Sequence, residues 1–412
     1  MTDETNNLLL DELAACYADP LRFVMFAFPW GTDSALQLVE LESPYSERFN
    51  CQYGPDVWAC ELLDVIGEQV RERGFDGVNA VDAIRVAVAS GHGIGKTAIT
   101  AWLVNWIMST RPMAKGIVTA NTAEQLSSKT WAEIVKWGRK SITASWFDFS
   151  TGKGSMKMKH KEHPEGWVTT ALTCREENSE AFAGLHAADS TPFYLFDEAS
   201  AIPTAISHVA EGGLTDGEPM FFKFGNPTQN SGDFHEIFHG EVAKRWIRRQ
   251  IDSRNVKITN KSQIQQWIDD YGVDSDFVKV RVRGVFPSMS VKQFISTDDV
   301  DAATQRVLRD EQFDFAPKIL TCDPAWEGDD ELIIGLRQGL HFTVLLALAK
   351  NDNDIHVANI LANFEDEHQA DAVFIDAGYG TGIVSAGKTL GRNWWWFIAR
   401  CIGWQKNTPD VA

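Results

Sequence analysis

The chain has 412 residues, of which 44% are hydrophobic and 15 are tryptophan, so it can bury more than one core and predicts two globular domains. Its 38 Lys and Arg residues against 57 Asp and Glu give a formal charge of −19, which excludes a protein that coats nucleic acid by bulk charge but allows local basic patches. The six cysteines form no C-x-x-C pair and no apolar run reaches the length of a membrane span, which argues against a zinc or disulfide framework and against a spanning segment.

In chain order, the first informative elements are a helix predicted from Val57 to Arg73 and a short apolar strand, Ile84–Ala89. The strand enters Ser90-Gly-His-Gly-Ile-Gly-Lys-Thr97, and an apolar helix then extends to about Met108. Closely spaced glycines let backbone N–H groups turn towards an anion at a helix N-terminus, where a lysine meets outer phosphates and a hydroxyl binds magnesium. This stretch predicts a nucleotide-phosphate loop, with Ser90 in place of the first glycine of the usual pattern.

Trp58, on the first turn of the Val57–Arg73 helix, has two interpretations. Its aromatic face can stack on an adenine, or it can be a tryptophan buried against the sheet. The candidate nucleotide-binding residues are Trp58, Ser90, Gly91, His92, Gly93, Gly95, Lys96 and Thr97.

A second strand, Gly116–Ala120, precedes a helix that opens at Thr122-Ala-Glu-Gln125 with capping-box spacing and extends to about Lys140. Alternation of strands and helices in this rhythm is typical of a parallel sheet with helices on both faces. The alternating basic stretch from Ser150 to Trp167 predicts a hairpin. A solvated β-ribbon explains this hairpin without any function, and a DNA contact is the alternative.

Two acids, Asp197 and Glu198, follow the buried strand predicted at Thr191-Pro-Phe-Tyr-Leu-Phe196, at the carboxyl end where ligands of open α/β sheets gather. We call them the acid pair: Asp197 is predicted to belong to a magnesium shell and Glu198 to orient and polarise attacking water. A plain turn is the alternative, which the upstream phosphate loop disfavours. A further strand, Met220–Phe224, ends in Gly225-Asn-Pro-Thr228, where Asn226 and Thr228 either sense a γ-phosphate or form an Asn-Pro turn.

Downstream of this strand, Trp246–Ile251 and Phe277–Arg283 alternate apolar and basic residues and are predicted as strands on either side of a helix at about Ser262–Tyr271. The stretch 251–294 is therefore expected to connect two domains.

Strand-end acids recur in the last third of the chain. The predicted strand Lys318–Asp323 and the predicted strand Ala372–Asp376 each end in an aspartate. Carboxylates on two strands of one sheet are the ligands of a two-metal phosphodiesterase site, because acids alone can hold hard cations. Each acid by itself also fits a structural role, but the repetition favours Asp323 and Asp376 as metal ligands.

Together these residues resemble the large terminase subunits of tailed bacteriophages, the ATP-driven motors that pump DNA into capsids and cut it. The likeness spans nearly the whole chain and depends on the order and spacing of its motifs. They are Asp19-Pro-Leu-Arg-Phe23, Phe28-Pro-Trp-Gly31, Gly54-Pro-Asp-Val-Trp58, Ser90-Gly-His-Gly-Ile-Gly-Lys-Thr97, Phe182-Ala-Gly-Leu-His186, Phe196-Asp-Glu-Ala199, Gly225-Asn-Pro-Thr228, Val280-Arg-Val-Arg-Gly-Val-Phe-Pro287 and Asp323-Pro-Ala-Trp-Glu-Gly-Asp-Asp330.

The resemblance implies an α/β architecture with an additional-strand P-loop ATPase domain over 1–250, a linker subdomain over 251–294 and a ribonuclease-H-like nuclease domain over 295–412. The implied cofactors are ATP with Mg²⁺ for the ATPase and Mg²⁺ or Mn²⁺ for the nuclease. The implied partners are double-stranded DNA, a portal protein, a small terminase subunit and further copies of the chain in a ring on the procapsid, in the host bacterial cytoplasm and without a membrane.

Residue by residue, the resemblance assigns roles to the motif positions. Lys96 and Thr97 match the phosphate loop, Asp197 and Glu198 the Walker B acids, Asn226 to Thr228 the coupling motif, and Asp323 and Asp376 the first two nuclease metal ligands, with Asp330 as a lesser candidate.

The sequence departs from the family at two places. Many relatives have a glutamine directly after the position of Trp58, where this chain has Ala59, so adenine reading is expected to be altered. The family's nuclease has a third metal-binding acid well beyond the strand that Trp394–Ile398 matches, whereas this chain ends at Ala412 and Asp410 is too close to that strand to replace it. We therefore expect an incomplete nuclease half.

Two other functions stay open at this stage. A DNA helicase or remodelling ATPase without nuclease activity would share the phosphate loop and the acid pair but would lack the Asp323 and Asp376 arrangement. The other is an assembly component whose nucleotide site is vestigial.

Overall fold

The computed structural model describes residues 3–36, 39–152, 154–288, 297–325, 331–348 and 353–397. The chain divides into two compact units, Met1–Val300 and Asp301–Ala412. The described part of the stretch expected as a linker, 251–288, lies within the first unit. Of the helices that the structure describes, none has both the length and the apolar composition needed to cross a membrane.

The strands and helices alternate through most of the chain. The strands are β1 Val39–Glu40, β2 Tyr53–Gly54, β3 Ile84–Ser90, β4 Lys115–Ala120, β5 Phe147–Ser150, β6 Lys157–His160, β7 Val168–Ala171, β8 Pro192–Asp197, β9 Met220–Gly225, β10 Ile247–Ile251, β11 Lys318–Asp323, β12 Leu332–Gln338, β13 His341–Leu348, β14 Ala372–Asp376 and β15 Trp395–Phe397. The α-helices are α1 Asp3–Ala15, α2 Pro20–Ala27, α3 Tyr45–Phe49, α4 Val57–Arg73, α5 Lys96–Thr110, α6 Ala123–Gln125, α7 Trp131–Lys140, α8 Thr204–Glu211, α9 Asp233–His239, α10 Lys261–Tyr271, α11 Asp276–Val278, α12 Thr297–Thr304, α13 Asp354–His368 and α14 Ala377–Thr389. The π-helical turns are Leu126–Thr130 and Lys279–Arg283.

The first unit is built around an eight-stranded mixed sheet in the order β10-β3-β9-β8-β4-β7-β6-β5. The strands from β10 to β7 are parallel, and β6 and β5 form an antiparallel ribbon at one edge, where a hairpin was predicted. Alternate residues of β3 enter different cores: Val86 and Val88 pack in one, and Ala87 and Ala89 in the other. The predicted α/β fold with a sheet covered on both faces is therefore confirmed, with the antiparallel ribbon as an addition.

The prediction of a strand at Phe277–Arg283 is wrong, because this segment is helical. Ser275 caps the turn by accepting a hydrogen bond from the Val278 N–H at 3.3 Å, and Gly284 ends it with a φ of 64°. Val278 and Val282, four residues apart, face one small apolar cluster. The alternation of valines with basic residues has a strand period, but the caps at both ends and the i, i+4 spacing of the buried valines favour a helix.

The second unit has a five-stranded sheet in the order β13-β12-β11-β14-β15. The strands β11, β12 and β13 are antiparallel neighbours, and β14 and β15 continue the sheet in parallel to β11. One core joins this sheet to α13 and α14, with Leu361 and Ile383 packed against Leu320 and Val373. The sheet thereby carries β11 and β14 side by side at its centre.

Candidate functional site

The predicted phosphate loop joins β3, which ends at Ser90, to α5, which begins at Lys96. Gly93 and Gly95 have φ angles of 77° and 89°, in the left-handed region that residues with a Cβ rarely adopt. The first N–H groups of a helix have no acceptor within the helix and carry its positive dipole end. The loop therefore presents N–H donors to an anion at the start of α5, as a phosphate cradle requires.

The loop is held from behind by residues of the stretch that was expected to be a linker. The Gly91 N–H donates to the Ile251 carbonyl at 3.1 Å, and the His92 N–H donates to the Arg281 carbonyl at 2.7 Å. The Ser253 hydroxyl donates to the His92 carbonyl at 2.7 Å. Two of the predicted phosphate donors, Gly91 and His92, thus use their N–H groups inside the protein.

The segments that support the loop, 251–253 and 281–284, are called the buttress below. Their contacts with the loop are too close to admit a side chain at two glycines. A Cβ added to Gly91 would lie 2.2 Å from the Ser253 Oγ and 2.3 Å from the Val282 carbonyl oxygen. A Cβ on Gly284, which has a φ of 64°, would lie 2.6 Å from the Ser90 Cα. Sequence reasoning missed this support, because its segments lie about 150 residues or more beyond the loop and carry no recognisable pairing signal.

Lys96 lies at the centre of a buried polar cluster, with 8% of its surface exposed. Its ammonium group donates to the Ser90 Oγ at 3.1 Å, to the Gly91 carbonyl at 3.3 Å and to the Asn226 Oδ1 at 3.1 Å. The Asn226 amide donates in turn to the Ser90 carbonyl at 2.6 Å. Burial lowers the pKa of Lys96, and the carboxylates of the acid pair oppose this shift. Ser90 is thus an active part of the cluster, since its hydroxyl accepts a bond from the lysine.

Asp197 of the acid pair is the last residue of β8, which is next to β9 in the sheet, and Glu198 follows it. Asp197 is 3% exposed, and its Oδ1 accepts the Glu198 N–H at 3.0 Å while its Oδ2 accepts the Thr130 hydroxyl at 2.7 Å. Burial raises the pKa of Asp197. Glu198 is half-buried and has a φ of 53°, a left-handed backbone conformation that strains a residue with a side chain.

The predicted coupling motif contacts both parts of the site. Asn226 bonds to Lys96 of the loop, and Thr228 bonds to Ser200, just after the acid pair, through its N–H and its hydroxyl, each at 3.1 Å. In the strand that precedes the motif, the buried ammonium group of Lys223 binds the Asp233 carboxylate at the start of α9. Lys223, three residues before Asn226 in the sequence, thereby connects β9 to α9.

Trp58 lies beside the loop, as predicted, but it is buried, with 8% of its surface exposed. Its indole N–H donates to the Ile94 carbonyl at 3.1 Å. This bond ties α4 to the middle of the phosphate loop. Trp58 thus has a structural role, and its stacking on an adenine stays a prediction.

The second unit brings Asp323 and Asp376 to one edge of its sheet. Cys322 pairs with Ile375 in parallel strands, so the next residue of each strand, Asp323 and Asp376, lies at the end of one of two neighbours about 4.8 Å apart. Asp323 is exposed and Asp376 is half-buried. The Asp376 Oδ1 also accepts the Gly378 N–H at 3.3 Å and thereby caps α14.

Asp330, the lesser metal candidate, lies outside the described residues. Within the ranges that the structure describes, no group of three or more histidines, cysteines and acids is arranged to hold a metal ion. The candidate nuclease site therefore consists of two described carboxylates.

Comparison with known proteins supports the resemblance drawn from the motifs. No family profile matches the chain. A probable terminase large subunit of Enterobacteria phage P7 is 27% identical over 247 residues, which are 55% of this chain and 47% of that protein. The predicted resemblance to large terminase subunits is confirmed. The match spans about half the length of this curated relative.

Solved structures of large terminases are also similar at low identity. The large terminase of bacteriophage HK97 is 9% identical with a TM-score of 0.49, over 93% of this chain and 84% of that one. The large terminase of a thermophilic bacteriophage, in complex with ADP, is 13% identical with a TM-score of 0.40, over 77% of each chain.

Proposed function

We propose that this chain is a large terminase subunit whose first unit hydrolyses ATP to drive double-stranded DNA into a procapsid. The observation that carries the proposal is the convergence of the loop lysine, the coupling asparagine and the acid pair at the carboxyl ends of β3, β9 and β8. Lys96 binds Asn226 directly, and the carboxylates of the acid pair are close enough to oppose the effect of burial on its pKa.

The side chains present fit a magnesium–nucleotide complex. The Thr97 hydroxyl and the Asp197 carboxylate are hard oxygen ligands of the kind that Mg²⁺ prefers. The bound ion would neutralise charge on the phosphate oxygens. The N–H groups from Gly93 onward and the Lys96 ammonium group would hold the phosphates, and Glu198 would orient the attacking water and accept its proton.

Coupling follows from the bonds that Lys96 makes in this structure. When Lys96 turns towards a γ-phosphate, its ammonium group exchanges the Asn226 amide oxygen for phosphate oxygens. Asn226 would then lose its bond to Lys96 and keep the one to the Ser90 carbonyl, while Thr228 stays bonded to Ser200 near the acid pair. Binding and hydrolysis thereby alter the position of the β9 end, which Lys223 and Asp233 connect to α9.

The same proposal includes a nuclease in the second unit. The parallel neighbours β11 and β14 place Asp323 and Asp376 together, which supports a ribonuclease-H-like domain with these acids as ligands of Mg²⁺ or Mn²⁺. Asp330 is the further candidate ligand. We also propose the additional-strand P-loop domain in the first unit, and a portal protein, a small terminase subunit and further copies of the chain as partners.

Steady-state ATP hydrolysis by the full chain with Mg²⁺ tests the motor function. Lys96→Ala is expected to abolish hydrolysis, because it removes the charge that meets the outer phosphates. Lys244→Ala, which removes an exposed lysine bonded to Glu241 at the surface, is the matched control and should hydrolyse ATP normally. Unchanged hydrolysis in Lys96→Ala would contradict the proposal, and strand displacement without a portal would favour a helicase.

A further inference from the structure

A π-helical turn, Leu126–Thr130, interrupts the helix that follows β4. The Trp131 N–H donates to the Leu126 carbonyl across this turn, one residue further back than in an α-helix. Such turns are rare and occur often at functional sites, because the extra residue re-aims a side chain. Here the turn ends at Thr130, which is 1% exposed and points its hydroxyl at Asp197.

The extra residue lets one helical segment bury its apolar side chains and also direct a hydroxyl group at the acid pair. Leu126, the first residue of the turn, and Trp131 and Ile134, which follow it, are buried in the main core of the first unit. Thr130, between them, leaves that apolar row and donates its hydroxyl to the Asp197 Oδ2 at 2.7 Å. The π-turn thus adds a polar contact to β8 without exposing the apolar side of the helix.

Both oxygens of the Asp197 carboxylate are occupied from the protein side. The Glu198 N–H binds Oδ1 and the Thr130 hydroxyl binds Oδ2, so rotation of the carboxylate about its Cβ–Cγ bond would break one of these bonds. Each oxygen keeps a further lone pair that faces away from these donors. A carboxylate fixed in this way is a preorganised cation ligand.

We propose that Thr130 is a positioning residue that orients Asp197 for the magnesium ion of the nucleotide complex. This inference rests on the proposed ATPase function. Thr130 acts through its hydroxyl bond to Asp197, which fixes the direction of the Asp197 oxygens. A merely structural threonine would instead contribute to folding stability without changing how strongly Mg²⁺ promotes nucleotide binding.

Binding of N-methylanthraniloyl-ADP to the full chain, measured by fluorescence with saturating Mg²⁺ and again with EDTA, separates these two roles. Thr130→Val keeps the shape of the side chain and removes the hydroxyl. We expect it to lose about tenfold or more of the affinity gained from Mg²⁺, as is usual when a partner of a metal ligand is removed, and to keep the affinity measured in EDTA. Thr130→Ser retains the hydroxyl and should behave as the unmodified chain.

Thr169→Val is the matched control. Thr169 is a fully buried threonine in β7 whose hydroxyl has no hydrogen-bond partner in the part of the chain that the structure describes. Its replacement by valine should change nucleotide binding neither in Mg²⁺ nor in EDTA. If Thr130→Val fails to fold, the pair Thr130→Ser and Thr130→Ala, which differ only in the hydroxyl, takes its place.

The outcomes are distinct. If Mg²⁺ raises the nucleotide affinity of Thr130→Val as much as that of Thr169→Val, the role of Thr130 is wrong and the proposed ATPase site stands. The same holds if Mg²⁺ raises the affinities of Thr130→Ser and Thr130→Ala equally. An unmodified chain that binds the nucleotide equally in Mg²⁺ and in EDTA overturns both the role of Thr130 and the proposed ATPase site. A selective loss in the variants without the hydroxyl supports the inference.

Discussion

The two units place carboxylates at strand ends in the same way but support them differently. In the first unit, Asp197 is buried, each of its oxygens accepts a hydrogen bond, and Glu198 is held in a strained conformation. In the second unit, Asp323 is exposed, and Asp376 is half-buried and also caps a helix. Adjacent parallel strands suffice to bring acids together, whereas a fixed orientation needs contacts from remote segments. Asp197 is therefore the most deeply buried of the three described aspartates that are predicted to bind metal ions.

After Lys96→Ala, the largest effect is expected from Glu198→Gln, which removes the general base and keeps the size of the side chain. Turnover of ATP should fall by about 10²–10⁴-fold, the usual contribution of a positioned base. Nucleotide affinity should stay unchanged, because Glu198 is proposed to act on water and not on the phosphates. Rapid-quench measurement of one turnover, with Glu241→Gln at an exposed position as control, checks this. A variant that turns over ATP at the normal rate would remove Glu198 from the mechanism.

A smaller effect, on stability and on binding together, is expected from Gly284→Ala. A left-handed alanine costs about 1–2 kcal/mol, and the added Cβ also lies 2.6 Å from the Ser90 Cα in the phosphate-loop strand, which should add about 1–3 kcal/mol. Gly74→Ala is the matched control, because Gly74 has a φ of 56° and its nearest neighbour would lie 3.8 Å away.

Urea denaturation measures the free energy of unfolding of both glycine variants, and nucleotide titration measures their affinity. Gly74→Ala should lower only the free energy of unfolding, whereas Gly284→Ala should lower it further and weaken nucleotide binding. Equal effects of the two substitutions would show that the buttress does not shape the loop.

The smallest effect concerns the second unit, where Asp376 has two roles that substitution can separate. Asp376→Asn keeps a helix cap and removes the charge, and Asp376→Ala removes both. Loss of the cap is expected to cost about 0.5–2 kcal/mol of stability, and only in the alanine variant. Both variants should lose any Mn²⁺-dependent cleavage of plasmid DNA that the chain has. Thermal unfolding and a gel assay measure the two effects, and cleavage retained in Asp376→Asn would exclude Asp376 as a metal ligand.

The elements and the site were predictable to different extents. Periodicity and turn residues located α4 and β14 at the residues where the structure has them, and motif spacing brought Lys96, Asp197 and Asn226 to neighbouring strand ends. The role of Ser90 and the bond from Thr130 were not predictable, because a hydroxyl in a loop or a helix carries no signal of its distant partner. The buttress around Gly284 was missed for the same reason, since it depends on the packing of segments far apart in the sequence.

The most direct test of the proposed motor is the rate of ATP hydrolysis by the full chain with one site altered at a time, Lys96→Ala beside Asp323→Ala. We predict that Lys96→Ala hydrolyses no ATP and that Asp323→Ala hydrolyses it at the rate of the unmodified chain, because the nucleotide site is formed by the first unit. Loss of hydrolysis in Asp323→Ala, or its survival in Lys96→Ala, would contradict that assignment.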